Sequence, residues 1–96
     1  MNLNMEVIRD LLMPLVRTVE MEILTPVFPD AYAQLLVVEG ELCLSVETSS
    51  DPLIVTVYKL LTQEEILDNS YKRTLRPKLE EKFNLLVAWK NGETVQ

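Results

Sequence analysis

The groups able to do chemistry in this 96-residue chain are fifteen carboxylates, nine bases, one thiol and no imidazole. Without histidine there is no Ser–His or Cys–His nucleophilic pair, no zinc-protease motif and no histidine-ligated metal. A simple pH switch is also lost, because histidine is the side chain whose ordinary pKa lies nearest neutrality. The one thiol, Cys43, excludes a thiolate metal cluster, a Cys-x-x-Cys redox pair and an intramolecular disulfide. Gly40 and Gly92 are the only glycines and stand 52 positions apart, so no glycine-rich phosphate loop or dinucleotide fingerprint forms. Carboxylate chemistry survives, since two acids in a cleft serve general acid–base work or hold Mg²⁺. Yet no Asp-x-Asp pattern occurs, and eleven of the fifteen acids are glutamates placed where a solvated face would put them. The expectation is a protein with no catalytic residues, no metal and no cofactor. A carboxylate-dependent enzyme is a distant third hypothesis.

Surface chemistry remains. The net charge is −6, and residues 18–58 form a 41-residue stretch without a single base. Within it, Glu20, Glu22, Glu41 and Glu47 alternate with apolar residues in two segments that read as strands, which would dress one sheet face in acids. Such a face suits a basic site on another protein, including a nucleic-acid channel. The plainer reading is ordinary solubility and protection of sheet edges. Between Asp68 and Glu80 the pattern inverts, with Lys72, Arg73, Arg76 and Lys78 and no acid. Beside a helix start near Leu75 these are a candidate cradle for a phosphate or an acidic partner, or else a solvated turn that offsets an acidic molecule. Val27 and Phe28, held between Pro26 and Pro29, make a semi-rigid apolar tip for a partner, though such residues more often fold back as a lid. Cys43 shares a strand face with Glu41, Ser45 and Glu47, whose charges disfavour the thiolate, so it reads as a plain strand cysteine.

The elements that position these groups follow from periodicity. Val7, Ile8, Leu11 and Leu12 recur at helical spacing, predicting a helix over about residues 3–13 that Pro14 ends. A kinked helix continuing to residue 19 is the alternative, because Leu15, Val16 and Val19 extend the stripe. The clean alternation of Val19 to Ile23 favours a strand there. Leu35 to Val38 and Glu41 to Glu47 predict a hairpin about Glu39-Gly40, with a short helix over Ala31 to Leu36 as the alternative for its first arm. Ser49 to Pro52 is a turn, and the β-branched run Leu53 to Leu60 is apolar enough on both faces to be a central strand. Thr62 and Glu65 form a capping box that opens a short helix. A further helix spans about 75–83, Leu85 to Trp89 reads as a strand, and Asn91-Gly92 is a strong hairpin signal with Lys90 and Glu93 flanking it.

These elements define one α+β domain over residues 1–96, a mostly antiparallel sheet of four to five strands with two to three helices on one face, its core face expected to include Val19, Met21, Ile23, Leu42, Leu44, Val46, Val55, Val57 and Val87. Apolar residues make up 48% of the chain, enough to build one core from Leu, Val, Ile and Met and to leave an apolar patch for a partner or a second copy. No ~20-residue apolar run is present to cross a bilayer. Met1 to Leu15 lacks the basic start of a secretory signal, and a cytoplasmic location is expected. The acidic total argues against direct nucleic-acid binding. In size and charge the chain is similar to small acidic inhibitor, immunity and phage-encoded counter-defence proteins, a compositional likeness that no motif carries. The leading expectation is a non-catalytic binding protein whose acidic face occupies a basic surface on another protein. Second is a homo-oligomeric structural or assembly subunit, such as a homodimer.

Overall fold

The computed structural model describes residues 4–49 and 55–92. Asn4 opens the first helix, α1 (Met5–Val19): its side-chain oxygen accepts from the amides of Glu6 and Val7 at 3.1 and 3.2 Å. Those are two of the donors that a helix start leaves open. Met5, Ile8, Leu12, Val16 and Val19 supply its inward stripe at spacings of three and four. The helix continues through Pro14, which faces solvent, so the expected end at Met13 is corrected. Proline removes the one amide that would reach Asp10, and the apolar stripe beyond it holds the helix together.

From α1 the chain passes directly into a π turn (Glu20–Leu24), closed by the Thr25 amide on the Glu20 carbonyl at 2.9 Å. The strand expected over Val19 to Ile23 does not form. Val19 and Leu24 are both fully buried, and they are five residues apart. An α-helix would carry that step off its inward stripe, whereas a turn closed from i to i+5 returns Leu24 to the core. Met21, expected in the core, is 69% exposed.

The hairpin forms as expected, from β1 (Tyr32–Val38) and β2 (Glu41–Glu47), and the alternative helix over 31–36 is excluded. Glu39 and Gly40 have φ of 52° and 78°, the two positive values that a two-residue turn needs to match the strand twist. β3 (Val55–Leu61) pairs antiparallel with the far side of β2, giving the order β1-β2-β3. The central strand is therefore β2, not the Leu53–Leu60 segment, of which residues 53 and 54 lie outside the described residues. The described sheet has three strands where four to five were expected.

Thr62 and Glu65 cap the short α2 (Gln63–Leu67) reciprocally, as their spacing implied. α3 (Tyr71–Lys90) then runs through both the expected 75–83 helix and the expected 85–89 strand. The buried residues Leu75, Leu79, Phe83 and Leu86 are four, four and three apart, one continuous helical stripe. Asn91-Gly92 ends this helix instead of turning a hairpin: Gly92, at φ +80°, donates to the Trp89 carbonyl at 3.2 Å. A glycine at positive φ serves a helix end as readily as a tight turn. Glu93 and the strand stub lie outside the described residues.

The helices pack on one face of the sheet, where Leu42, Leu44 and Val46 of β2 are buried with Val16, Leu79 and Phe83. Pairing of Thr56 with Val46 and of Tyr58 with Leu44 sets the parity of β3, and the register shift between Leu42 and Cys43, past Lys59, lets Leu60 and Leu61 both be buried. Thr56, Tyr58 and Leu60 turn towards the core, and Val55 and Val57, expected inside, turn out. Val87, also expected in a strand core, is a half-buried residue of α3.

Candidate functional site

The two edges of the sheet are built differently. At the β1 edge, Glu20 accepts the Ala33 amide at 2.6 Å, and Arg17 donates to the Ala33 carbonyl at 2.7 Å. Arg17 also donates to both Glu20 oxygens, at 3.0 and 3.2 Å, and its guanidinium lies 4.4 Å from the centre of the Tyr32 ring. A carboxylate and a guanidinium thus stand where the peptide of a neighbouring strand would. Glu20 is 7% exposed, so the expectation that it faces solvent on a sheet surface is corrected. Its charge is neutralised by Arg17 and its oxygens hold backbone.

The face of the sheet turned away from the helices carries three rows across the strands. They are Tyr32–Glu47–Val55, Gln34–Ser45–Val57 and Leu36–Cys43–Lys59. The centre of this face is buried by its own neighbours, with Cys43 and Ser45 both hidden. Burial first, and the Glu41 charge second, push the Cys43 thiol up, against a smaller pull from Lys59. A thiol disfavoured as thiolate in this way is a poor nucleophile. Around it the side chains of Tyr32, Val38, Val55 and Val57 stay exposed. Glu41, paired with Lys59 at 3.7 Å, marks one end of the face, and exposed Glu47 marks the other.

The other expected site residues do not assemble. Glu22 leaves the sheet altogether and pairs with Arg76 of α3, which also meets Glu80 at 3.5 Å. Lys78 is drawn to Glu65 and donates to the Leu60 carbonyl at 2.9 Å, tying α3 to α2 and β3. Lys72 and Arg73 are exposed on the first turn of α3, so the four bases spread around a helix and make no single cradle. Val27 and Phe28 fold back: Phe28 is buried under Lys90, whose ammonium is 4.9 Å from the ring centre and donates to the Val27 carbonyl. What sequence reasoning missed is the trio Arg17, Tyr32 and Ala33. The Arg17–Glu20 spacing of three was its only signal, and it speaks only once the segment is known to be helical.

Among the described residues, no helix is long and apolar enough to cross a membrane, and no group of three or more carboxylate or thiol side chains is placed to hold a metal ion. Comparison of the chain with protein-family models, curated proteins and solved structures finds no match.

Proposed function

We propose that this chain is a non-catalytic protein-binding module that seats its partner on the open face of the sheet. One observation carries this: Tyr32, Val38, Val55 and Val57 are exposed together on one sheet face, bounded by Glu41 and Glu47. Apolar side chains gathered on one surface lose free energy to water that a partner restores, which is why such patches mark interaction sites. The acids at its ends bias the choice of partner towards one with an apolar strip and a basic rim, and they speed encounter more than they lengthen the lifetime of the complex. An acidic inhibitor or immunity-type protein filling a basic site is the form of this function that suits the net charge. With Glu20 internal and Glu22 tied to Arg76, the apolar side chains carry more of the binding than the acids do.

The test compares proteins captured by the parent, by Tyr32→Ser/Val38→Ser and by Glu41→Lys/Glu47→Lys, at low and high salt. The apolar pair should lose the partner while keeping the fold. The reversed acids should slow capture and flatten its salt dependence, since screening weakens the attraction of exposed charges. Equal capture by all three proteins at every salt concentration would reject the open face.

A further inference from the structure

We propose that a second copy of this chain joins the sheet at β3, antiparallel and centred on Val57, making one six-stranded sheet across a two-fold axis. The hydrogen-bonding parity of the strands leads to the edge. Glu20 holds the Ala33 amide, so the residues of β1 that bond to β2 are Tyr32, Gln34, Leu36 and Val38, opposite Glu47, Ser45, Cys43 and Glu41. Antiparallel ladders alternate, so Leu44 and Val46 turn their peptides the other way, to Tyr58 and Thr56. The peptides of Val55, Val57 and Lys59 then point out of the sheet. Arg17 and Glu20 close the β1 edge, but no described side chain or loop stands against these three in the same way.

An open row of peptides is a template for another strand, and proteins blunt it with proline, bulges or charge. Between Val55 and Lys59 there is no proline, and the one register shift lies beyond them at Leu42/Cys43. Val55 and Val57 are 68% and 54% exposed. The single charge on this stretch, Lys59, selects the occupant. Pairing centred on Val57 sets Val57 against its symmetry mate and Lys59 against Val55 of the other copy. The row through that Val55 continues to Glu47, so each lysine approaches an acid of the other copy, twice by symmetry. Centring on Lys59 would set two lysines directly opposite, which is unfavourable. The pairing rests on the open face already described only in sharing Val55 and Val57 with it. It joins two such faces into one and leaves Tyr32 and Val38 free for a different protein.

The experiment uses the purified full chain with no partner present, so its outcome is separate from that of the capture assay. Sedimentation over a wide concentration range should show a reversible dimer, weakened by salt. Val57→Lys should raise the dissociation constant by about tenfold or more, because it sets like charges opposite at the axis, with the circular dichroism spectrum unchanged. In a Cys43→Ser background, Val57→Cys should form a disulfide-linked dimer under mild oxidation, because directly opposed residues of an antiparallel pair lie within disulfide reach. Leu11→Cys, exposed on α1, should not. A monomer at high micromolar concentration in low salt overturns the proposal. So does a dimer indifferent to Val57→Lys, or one that cross-links through Leu11→Cys and not through Val57→Cys.

Discussion

At position 20 a carboxylate is buried at the edge of a sheet, and its role follows from the backbone it bonds. Ala33 N–H and C=O would otherwise face outward with no peptide opposite; Glu20 and Arg17 satisfy both. Replacing Glu20 by Ala should cost about 2–3 kcal/mol, since a charge-assisted bond is lost and a buried amide is left without an acceptor. Arg17→Ala should cost at least as much, about 3 kcal/mol, because it leaves the buried Glu20 carboxylate without its counter-charge. Urea unfolding reads both, and a loss below about 0.5 kcal/mol for either variant would show that the pair does not close the edge. Glu65 offers a pH test. Lys78, then the Thr62 amide, hold its carboxyl below the usual carboxylate range, against a weaker opposing effect of burial. A carboxyl depressed in the folded state adds stability above the unfolded value of about 4.3, lost as pH falls through the lower folded one. The melting-temperature gap between the parent and Glu65→Gln should therefore be full at pH 6 and shrink below about pH 4.3. A gap constant down to pH 3 would assign the loss to packing instead.

Helix α1 and the hairpin show which elements a sequence reveals. The hairpin was legible because its turn is local: two residues, both at positive φ, one of them glycine. Its chemistry also predicts how to change it. Glu39 pays for a left-handed conformation, so Glu39→Gly should stabilise the fold by about 0.4–1 kcal/mol. Gly40→Ala should destabilise it, by about 1 kcal/mol or more, because φ is +78° and an added Cβ would meet the Gln63 side chain at 2.5 Å. Thermal unfolding of the two variants should move in opposite directions. Beyond Pro14 the same kind of reasoning failed, for a physical cause. Val19 to Ile23 alternates as a strand would, yet Val16, Val19 and Leu24 fit one helical stripe if the last step is a π turn, and no local signal announces that turn. In α3 the stripe through Leu75, Leu79 and Phe83 was visible and simply continues to Leu86; the glycine that ends it looked like a hairpin glycine because both need positive φ.

For the whole molecule, an acidic α+β fold with an antiparallel hairpin was legible, but which face of β3 stays open was not. Apolar residues occupy both parities of the strand, Val55 and Val57 on one, Tyr58 and Leu60 on the other. Pairing with β2 makes the choice, setting Thr56 and Tyr58 beside the buried Val46 and Leu44, and Lys82 of α3 lies 5.4 Å over the Tyr58 ring; both are long-range facts. That choice has a measurable consequence. A folded chain of 96 residues is stable by roughly 5–14 kcal/mol, so a single core truncation removes a large part of the margin. Leu44 is fully buried between the sheet and the helices, and Leu44→Ala should cost about 2–5 kcal/mol. Val57→Thr keeps the β-branched shape on the opposite face and should change stability by less than about 0.5 kcal/mol, provided the protein is dilute enough to be monomeric. Urea midpoints measured with an unchanged denaturant slope separate the two effects from any change in the unfolded ensemble. If Val57→Thr is the costly variant and Leu44→Ala the neutral one, the sheet packs its helices on the other side. The open face, the unpaired β3 edge and the proposals built on them would then fall together.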